Sequence, residues 1–466
     1  MTKNNKVYRK SELKINDVQP TREKLTGRAG LTFFTAYLYS IQIFSMLDRF
    51  FGSLRKSKKG ADITELFKQM FCFMMDGTSR HLVYFDHLKN DVGYAGTIET
   101  DMKEMASSHT IKRFFKGFSY VRIYLFRRLL HNLFIWRLKI VQPSVIELGI
   151  DTMVLDNDDA DCRHGVKPTC KKKKGFQPLQ MNWGRYFVDA VFRGGDKHSN
   201  HGDTVEKMIR HMVNTIRKSF RKDVPIIIRL DSGFFDQKIF EVCEELHVGY
   251  ICGGKLYKDI IELGKTTTCW QSFFSSKKED IWEYTEFGCK QGSWKRFRRA
   301  LYCRLLNNAK QLYLPGTRPD TVIITNLGLG GRIDELLGQT GNTDYLSCDA
   351  ILGCYHERGS DELTNRALKN FGHEQLPFKQ FIPNAAWYYT MLVGHFLFES
   401  FKEDVISPVI PVSAYADTVR RQFIDIAGKI VSHSGRIILK VAAACFKRLQ
   451  LSKLLDRCSQ CPVLQI

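Results

Sequence analysis

The chain lacks an apolar leader: its first residues, MTKNNKVYRKSELK, are polar and basic, which predicts no secretory signal and a cytoplasmic protein. It also lacks a clean membrane span. The nearest stretch, Phe381 to Phe398, avoids charge but contains Pro383, Asn384, Gly394 and His395, and is expected to be a buried helix with no membrane partner. A disulfide framework is excluded by thirteen cysteines, an odd number without a secretory context, so reduced thiols are expected. The CxxC of Cys458 and Cys461 has no second pair or histidine couple at zinc spacing, and free thiols are predicted there too. No internal repeat or low-complexity segment is apparent. Acidic residues are in deficit, with 49 Asp and Glu against 70 Lys and Arg.

The resulting charge of +21 and pI near 9.4 call for a polyanionic partner. The basic residues are spread along the chain and interleaved with aromatics, not gathered into one juxtamembrane cluster, which favours nucleic acid over a membrane surface. With 44% hydrophobic and 26% charged residues the composition is that of a globular protein, and 466 residues leave room for one large catalytic domain with smaller helical pieces around it.

Apolar spacings of three and four run from about Leu31 to Trp136, predicting a helical N-terminal region, 1–140, that binds DNA. Within it, Thr100 to Gly117 (TDMKEMASSHTIKRFFKG) offers two short helices about a Ser107-Ser108 break, the second carrying Lys112, Arg113 and Lys116, in the manner of a helix-turn-helix. From Val145 the runs VIELGID, RYFVDAVFRG, PIIIRLDSG and VGYICGG read as strands, and Val205 to Phe220 reads as an amphipathic helix. Strands alternating with helices predict an α/β core, first part 145–256. Then IWEYTEF, RRALYCRLL, QLYLPG and TVIITNL predict an inserted β-rich subdomain over 257–351. The core resumes over 352–405, and 406–466 is expected to be a basic helical region, with helix from about Ser413 to Leu455.

Three acids stand out. Asp151 ends the apolar run VIELGI, where a rigidly held carboxylate could serve as a hard oxygen ligand, although a strand-ending Asp also commonly caps a turn. Asp231 ends PIIIRL, a run typical of a strand buried on both faces, where a carboxylate needs a partner charge or a metal. In YHERGSDELTNRALK, Tyr355, Arg358, Glu362 and Lys369 recur at intervals of three, four and seven. A helix beginning near Ser360 puts Glu362 in its first turn, with Tyr355 and Arg358 on the entry loop and Arg358 and Lys369 able to reach phosphates.

These residues resemble the DDE transposases of bacterial insertion sequences, in the branch with a Tyr-Arg-Glu-Lys signature, whose spacing Tyr355, Arg358, Glu362 and Lys369 keep. ELGIDT is similar to that family's first-aspartate strand, IIIRLDSGFF to its second, and VFRGGDKHSNHGDT to the polar loop after an intervening strand, so the likeness spans roughly Val145 to Phe371. The resemblance implies an RNase H-like catalytic core with an inserted β-rich subdomain, and Asp151, Asp231 and Glu362 as the acidic triad. It further implies two Mg²⁺ ions, with Mn²⁺ able to substitute, and in-line phosphoryl transfer. The partners implied are double-stranded DNA, as terminal inverted repeats and target, and a second copy of the chain in a homodimer. One departure is that relatives often carry an acid two positions before the first aspartate, where this chain has Gly149.

Other residues are candidates for DNA contact. Lys171, Lys172, Lys173 and Lys174 form a basic stretch beyond the acidic loop Asp156, Asp158, Asp159 and Asp161, which lacks the glycine and terminal glutamate of a calcium-binding loop. Trp294 and Arg296 lie in GSWKRFRRALY. Some relatives flip a base against an aromatic residue, and Trp294 is the candidate for such stacking, a packed core tryptophan being the competing reading. A metal-dependent nuclease of the same core without strand transfer, and a non-enzymatic DNA-binding derivative, are the alternative functions.

Overall fold

The most continuous apolar runs, IIIRL and GYICG, form strands buried at every residue, as expected for parallel strands covered on both faces. In the computed structural model, which describes residues 17–54, 60–274, 281–306, 320–356 and 359–464, they belong to a nine-stranded mixed sheet. Its strands are β1 (Ile146–Thr152), β2 (Leu179–Trp183), β3 (Tyr186–Val191), β4 (Ile226–Leu230), β5 (Gly249–Gly253), β6 (Gln271–Phe274), β7 (Ile281–Cys289), β8 (Arg298–Leu306) and β9 (Thr321–Thr325). Across the sheet they lie in the order β6-β7-β8-β9-β5-β4-β1-β2-β3. β1, β4 and β5 are mutually parallel, and antiparallel strands extend the sheet on both sides.

The strands of 257–351 therefore do not close on themselves. β9 pairs with β5, so the stretch read from sequence as a separate insertion continues the central sheet. The strand read at RYFVDAVFRG is β3, and a strand not expected from sequence, β2, precedes it; the two form a hairpin that turns at Gly184, whose φ of 55° suits glycine. QLYLPG (311–316) and the first residues, MTKNNKVYRKSELK, lie outside the described residues.

The helices that bear on the site are α1 (Ile63–Asp76), α2 (Ser108–Lys116), α3 (Tyr120–Val141), α4 (Thr204–Ser219), α5 (Cys348–His356), α6 (Gly359–Gly372) and α7 (Phe381–Phe401). α7 covers the Phe381 to Phe398 stretch and is buried at nearly every residue, packing on α1, α3, α6 and β3. Among the described residues no helix is long and apolar enough to cross a membrane. One hydrophobic cluster joins α1, α3, α7 and the sheet.

Two sequence readings are corrected. Asp101–Glu104 is a turn and only α2 of the expected helix pair forms, capped by Ser107, whose hydroxyl accepts from the Thr110 amide at 3.2 Å. The C-terminal region is not wholly helical: β10 (Gly428–His433) and β11 (Arg436–Val441) form a hairpin closed by Ser434 and Gly435, both at positive φ, the two-residue turn that matches strand twist. β10 also pairs with Lys24–Thr26, tying the two ends of the described chain together.

Candidate functional site

The register of the parallel pair carries the site. Ile146 to Ile150 of β1 lie opposite Ile226 to Leu230 of β4 in unbroken steps. Asp151 and Asp231 are the next residues on each chain, so they stand side by side at neighbouring strand ends, about 4.8 Å apart along the hydrogen-bonding direction. Both are partly buried. Asp231 caps the turn that follows, its Oδ1 accepting from the Gly233 amide at 2.8 Å. Asp151 Oδ1 accepts from the Thr152 amide at 2.7 Å, and its Oδ2 accepts from Asn365 Nδ2 at 3.0 Å.

Asn365 belongs to α6, so that helix lies over the end of β1. Glu362 stands one turn before Asn365 on the same helix and is exposed. The residue beside it, Asp361, is 4% exposed, and its Oδ1 accepts from Asn182 Nδ2 at 2.7 Å and from Arg229 Nη2 at 3.0 Å. α6 thus turns one carboxylate into the protein and leaves the next at the surface.

Tyr355, near the end of α5, reaches the third parallel strand. A Cβ at Gly253 would lie 2.5 Å from Tyr355 Oη and 3.2 Å from the Ser232 amide, so the missing side chain lets the phenol approach the turn that follows Asp231. Lys369 donates to Glu374 Oε2 at 2.7 Å, and the same oxygen accepts from the Asp156 amide at 3.3 Å. Arg358 lies outside the described residues. The polar loop after β3 borders the site as well: Ser199 Oγ is 3.4 Å from Thr152 Oγ1 and packs against Gly233.

The remaining sequence candidates are dispersed. Lys112 and Arg113 are exposed on α2, and Arg296 is exposed. Lys171 to Lys174 are exposed, but Lys173 bridges Asp156 and Asp158 at 3.4 and 3.1 Å, and Lys174 bridges Asp161 at 2.9 Å, so the acidic loop offsets part of this basic stretch. Trp294 corrects the stacking expectation. It is 5% exposed, packed on Phe235 and Phe240 with the Arg298 guanidinium 4.6 Å from its ring, and has no free face for a base. Cys458 and Cys461 are free thiols, both pushed up to about 12 by burial.

Asn365, Asp361, Arg229 and Asn182 escaped the sequence reading. One clue was available, since an arginine in the otherwise apolar run IIIRL needs a buried partner. Among the described residues no group of three or more His, Cys, Asp or Glu side chains is clustered tightly enough to hold a metal by itself.

A mixed α/β core with carboxylates at adjacent parallel strand ends and a helix laid over them places the chain among α/β proteins with a strand-end acidic site. Within that class it belongs to the family described as Transposase DDE domain group 1, which it matches over residues 11–463. It is therefore a DDE transposase by family. A solved piggyBac transposase synaptic complex with hairpin DNA is a remote structural neighbour, 13% identical over 87% of this chain and 83% of that one, with a TM-score of 0.37. No curated protein matches the chain.

Proposed function

We propose that the protein cuts the terminal inverted repeats of an insertion sequence and joins the freed ends to target DNA, with Asp151, Asp231 and Glu362 as its acidic triad. The observation that carries this reading is the register that sets Asp151 beside Asp231, with α6, bearing Glu362, hydrogen-bonded to Asp151 through Asn365. The RNase H-like description is supported by the unit β3-β2-β1-β4-β5, an antiparallel meander continued by two parallel strands, with an acid at the end of its first and fourth members in chain order.

The donor set fits Mg²⁺, which favours hard oxygens and binds through one or two carboxylates completed by substrate phosphates and water. Asp151 and Asp231 supply two such carboxylates, and Glu362 would complete the set when DNA is bound. Two bound ions would activate a water or 3′-hydroxyl and stabilise the leaving oxygen. The chain's own groups position the phosphate: Tyr355 Oη beside the Ser232 amide can donate to a phosphate oxygen, and Lys369 and Arg358 offer cations. Pairing two transposon ends calls for a homodimer on DNA.

Purified protein incubated with Mg²⁺ or Mn²⁺ and duplexes carrying the flanking inverted repeats is expected to give cut and joined products. Asp231→Ala and Glu362→Ala should lose both. Equal products from wild type and variants would refute the site, cutting without joining would identify a nuclease, and binding without cutting a DNA-binding derivative.

A further inference from the structure

Two residues before the acidic pair, the same strands form a second row. Gly149 of β1 is flanked by Asn182 of β2 and Arg229 of β4, each its direct neighbour in register. Side chains alternate along a strand, so Gly149 shares a face with Asp151, and Arg229 with Asp231. The glycine leaves a seat in the middle of this row, and the Asp361 carboxylate of α6 occupies it. A Cβ at Gly149 would collide with Asn182 Oδ1 and lie 2.8 Å from Asp361 Oδ2. From that seat Asp361 accepts from Asn182 on one side and Arg229 on the other. The pair is almost wholly enclosed, with side-chain exposures of 6% for Arg229 and 5% for Asp361. Glu147, on the same face of β1, lies 3.8 Å from the other end of the Arg229 guanidinium and accepts from Tyr345 Oη at 2.6 Å.

We infer that Asp361 is a positioning residue: seated on Gly149 between Asn182 and Arg229, it fixes the first turn of α6 so that Glu362 and Asn365 face the ends of β1 and β4. The inference rests on the reading of Asp151, Asp231 and Glu362 as metal ligands. Glu362 is covalently next to Asp361, so any loss of this seat rotates or lifts the turn that carries the third acid. Glu362 is exposed and makes no hydrogen bond or ion pair to another side chain among the described residues, whereas Asp361 accepts hydrogen bonds, one of them from a guanidinium, from two different strands. Groups that orient metal-binding side chains typically change metal affinity or activity by about 10- to 100-fold when removed.

The test compares wild type, Asp361→Ala, Asp361→Asn and Glu362→Gln in the full chain. Four readouts apply: Mn²⁺ binding by calorimetry, duplex affinity by fluorescence anisotropy, the kcat and KM of end cleavage, and the melting temperature. Asp361→Ala should raise the Mn²⁺ concentration for half-saturation about tenfold or more and lower kcat, leaving KM and duplex affinity within about twofold of wild type. Asp361→Asn keeps an acceptor oxygen of the same shape; it should fold and show a smaller shift in the same direction, and it decides the question where the alanine variant does not fold. Lowered melting temperature with wild-type Mn²⁺ saturation in both variants would mean a purely structural seat and overturn the inference. Wild type that cuts while both variants saturate normally removes only this inference; wild type that neither binds Mn²⁺ nor cuts, like Glu362→Gln, removes the proposed site and this inference with it.

Discussion

At the residue scale, the site depends on two side chains that are absent. Gly149 gives Asp361 its seat, and Gly253 gives the Tyr355 hydroxyl its approach to the Ser232 amide. The second offers a direct prediction. In Gly253→Ala the new methyl would stand 2.5 Å from Tyr355 Oη, closer than packed atoms tolerate, so the phenol must move away from the Asp231 turn. Such overpacking costs about 1–3 kcal/mol, and the melting temperature should fall accordingly. If the phenol helps to hold a phosphate, the rate of end cleavage should fall about tenfold as well, in line with the loss of one positioning contact. A variant that melts lower yet cuts at the wild-type rate would remove Tyr355 from the site. Asp151 and Asp231 were legible in the sequence because each ends an apolar run, but their adjacency was not, because register is a relation between strands 80 residues apart. Asn365 and Asp361 sit among charged and amide residues of α6 with nothing local to separate the buried from the exposed; only the strands beneath them decide.

At the scale of elements, α3 is fastened to the sheet by a buried polar joint. Arg127 donates Nε and Nη2 to the two oxygens of Asp189 on β3 at 2.7 and 2.6 Å, and His131 Nε2 lies 3.2 Å from the same carboxylate. Asp189 is fully buried. Burial pushes its carboxyl up, but the charges and hydrogen bonds of His131 and Arg127 outweigh that and hold it well below the usual carboxylate range. A carboxylate depressed in the folded state stabilises above its unfolded value, near 3.8, and that contribution is lost as pH falls below it. Asp189→Asn should therefore lower the melting temperature at pH 7 and narrow its gap to wild type as pH drops from about 4 toward 3. A gap that stays constant over that range would mean that the charge on Asp189 contributes nothing.

The elements that the sequence misjudged failed for comparable reasons. The hairpin of β10 and β11 was taken for helix because IVSHSGRIILK has apolar residues at spacings compatible with both periods, and the turn chemistry of Ser434 and Gly435 settles it. The insertion was taken for a separate unit because its link to the core, β9 on β5, joins segments about 70 residues apart. Trp294 looked available in a basic segment, yet it is covered by Phe235 and Phe240 from elsewhere in the fold, with Arg298 of its own segment over the ring.

At the scale of the whole molecule, a charge of +21 means that DNA binding should be strongly salt-dependent, because each phosphate neutralised releases condensed counterions. The slope of log affinity against log salt falls by about 0.9 for each phosphate contact removed from duplex binding. Not every exposed lysine should count equally. Lys173 and Lys174 already bridge Asp156, Asp158 and Asp161, so a phosphate must compete with carboxylates for them. Lys112 and Arg113 are exposed on α2 with no carboxylate bridged to them among the described residues. If α2 touches the duplex, Lys112→Gln with Arg113→Gln should flatten the slope by about two, whereas Lys173→Gln with Lys174→Gln should change it less. Anisotropy titrations from about 50 to 200 mM salt would measure both slopes. The reverse ranking would move the DNA contact from α2 to the loop after Lys171, and an unchanged slope in both pairs would place it on another face of the chain.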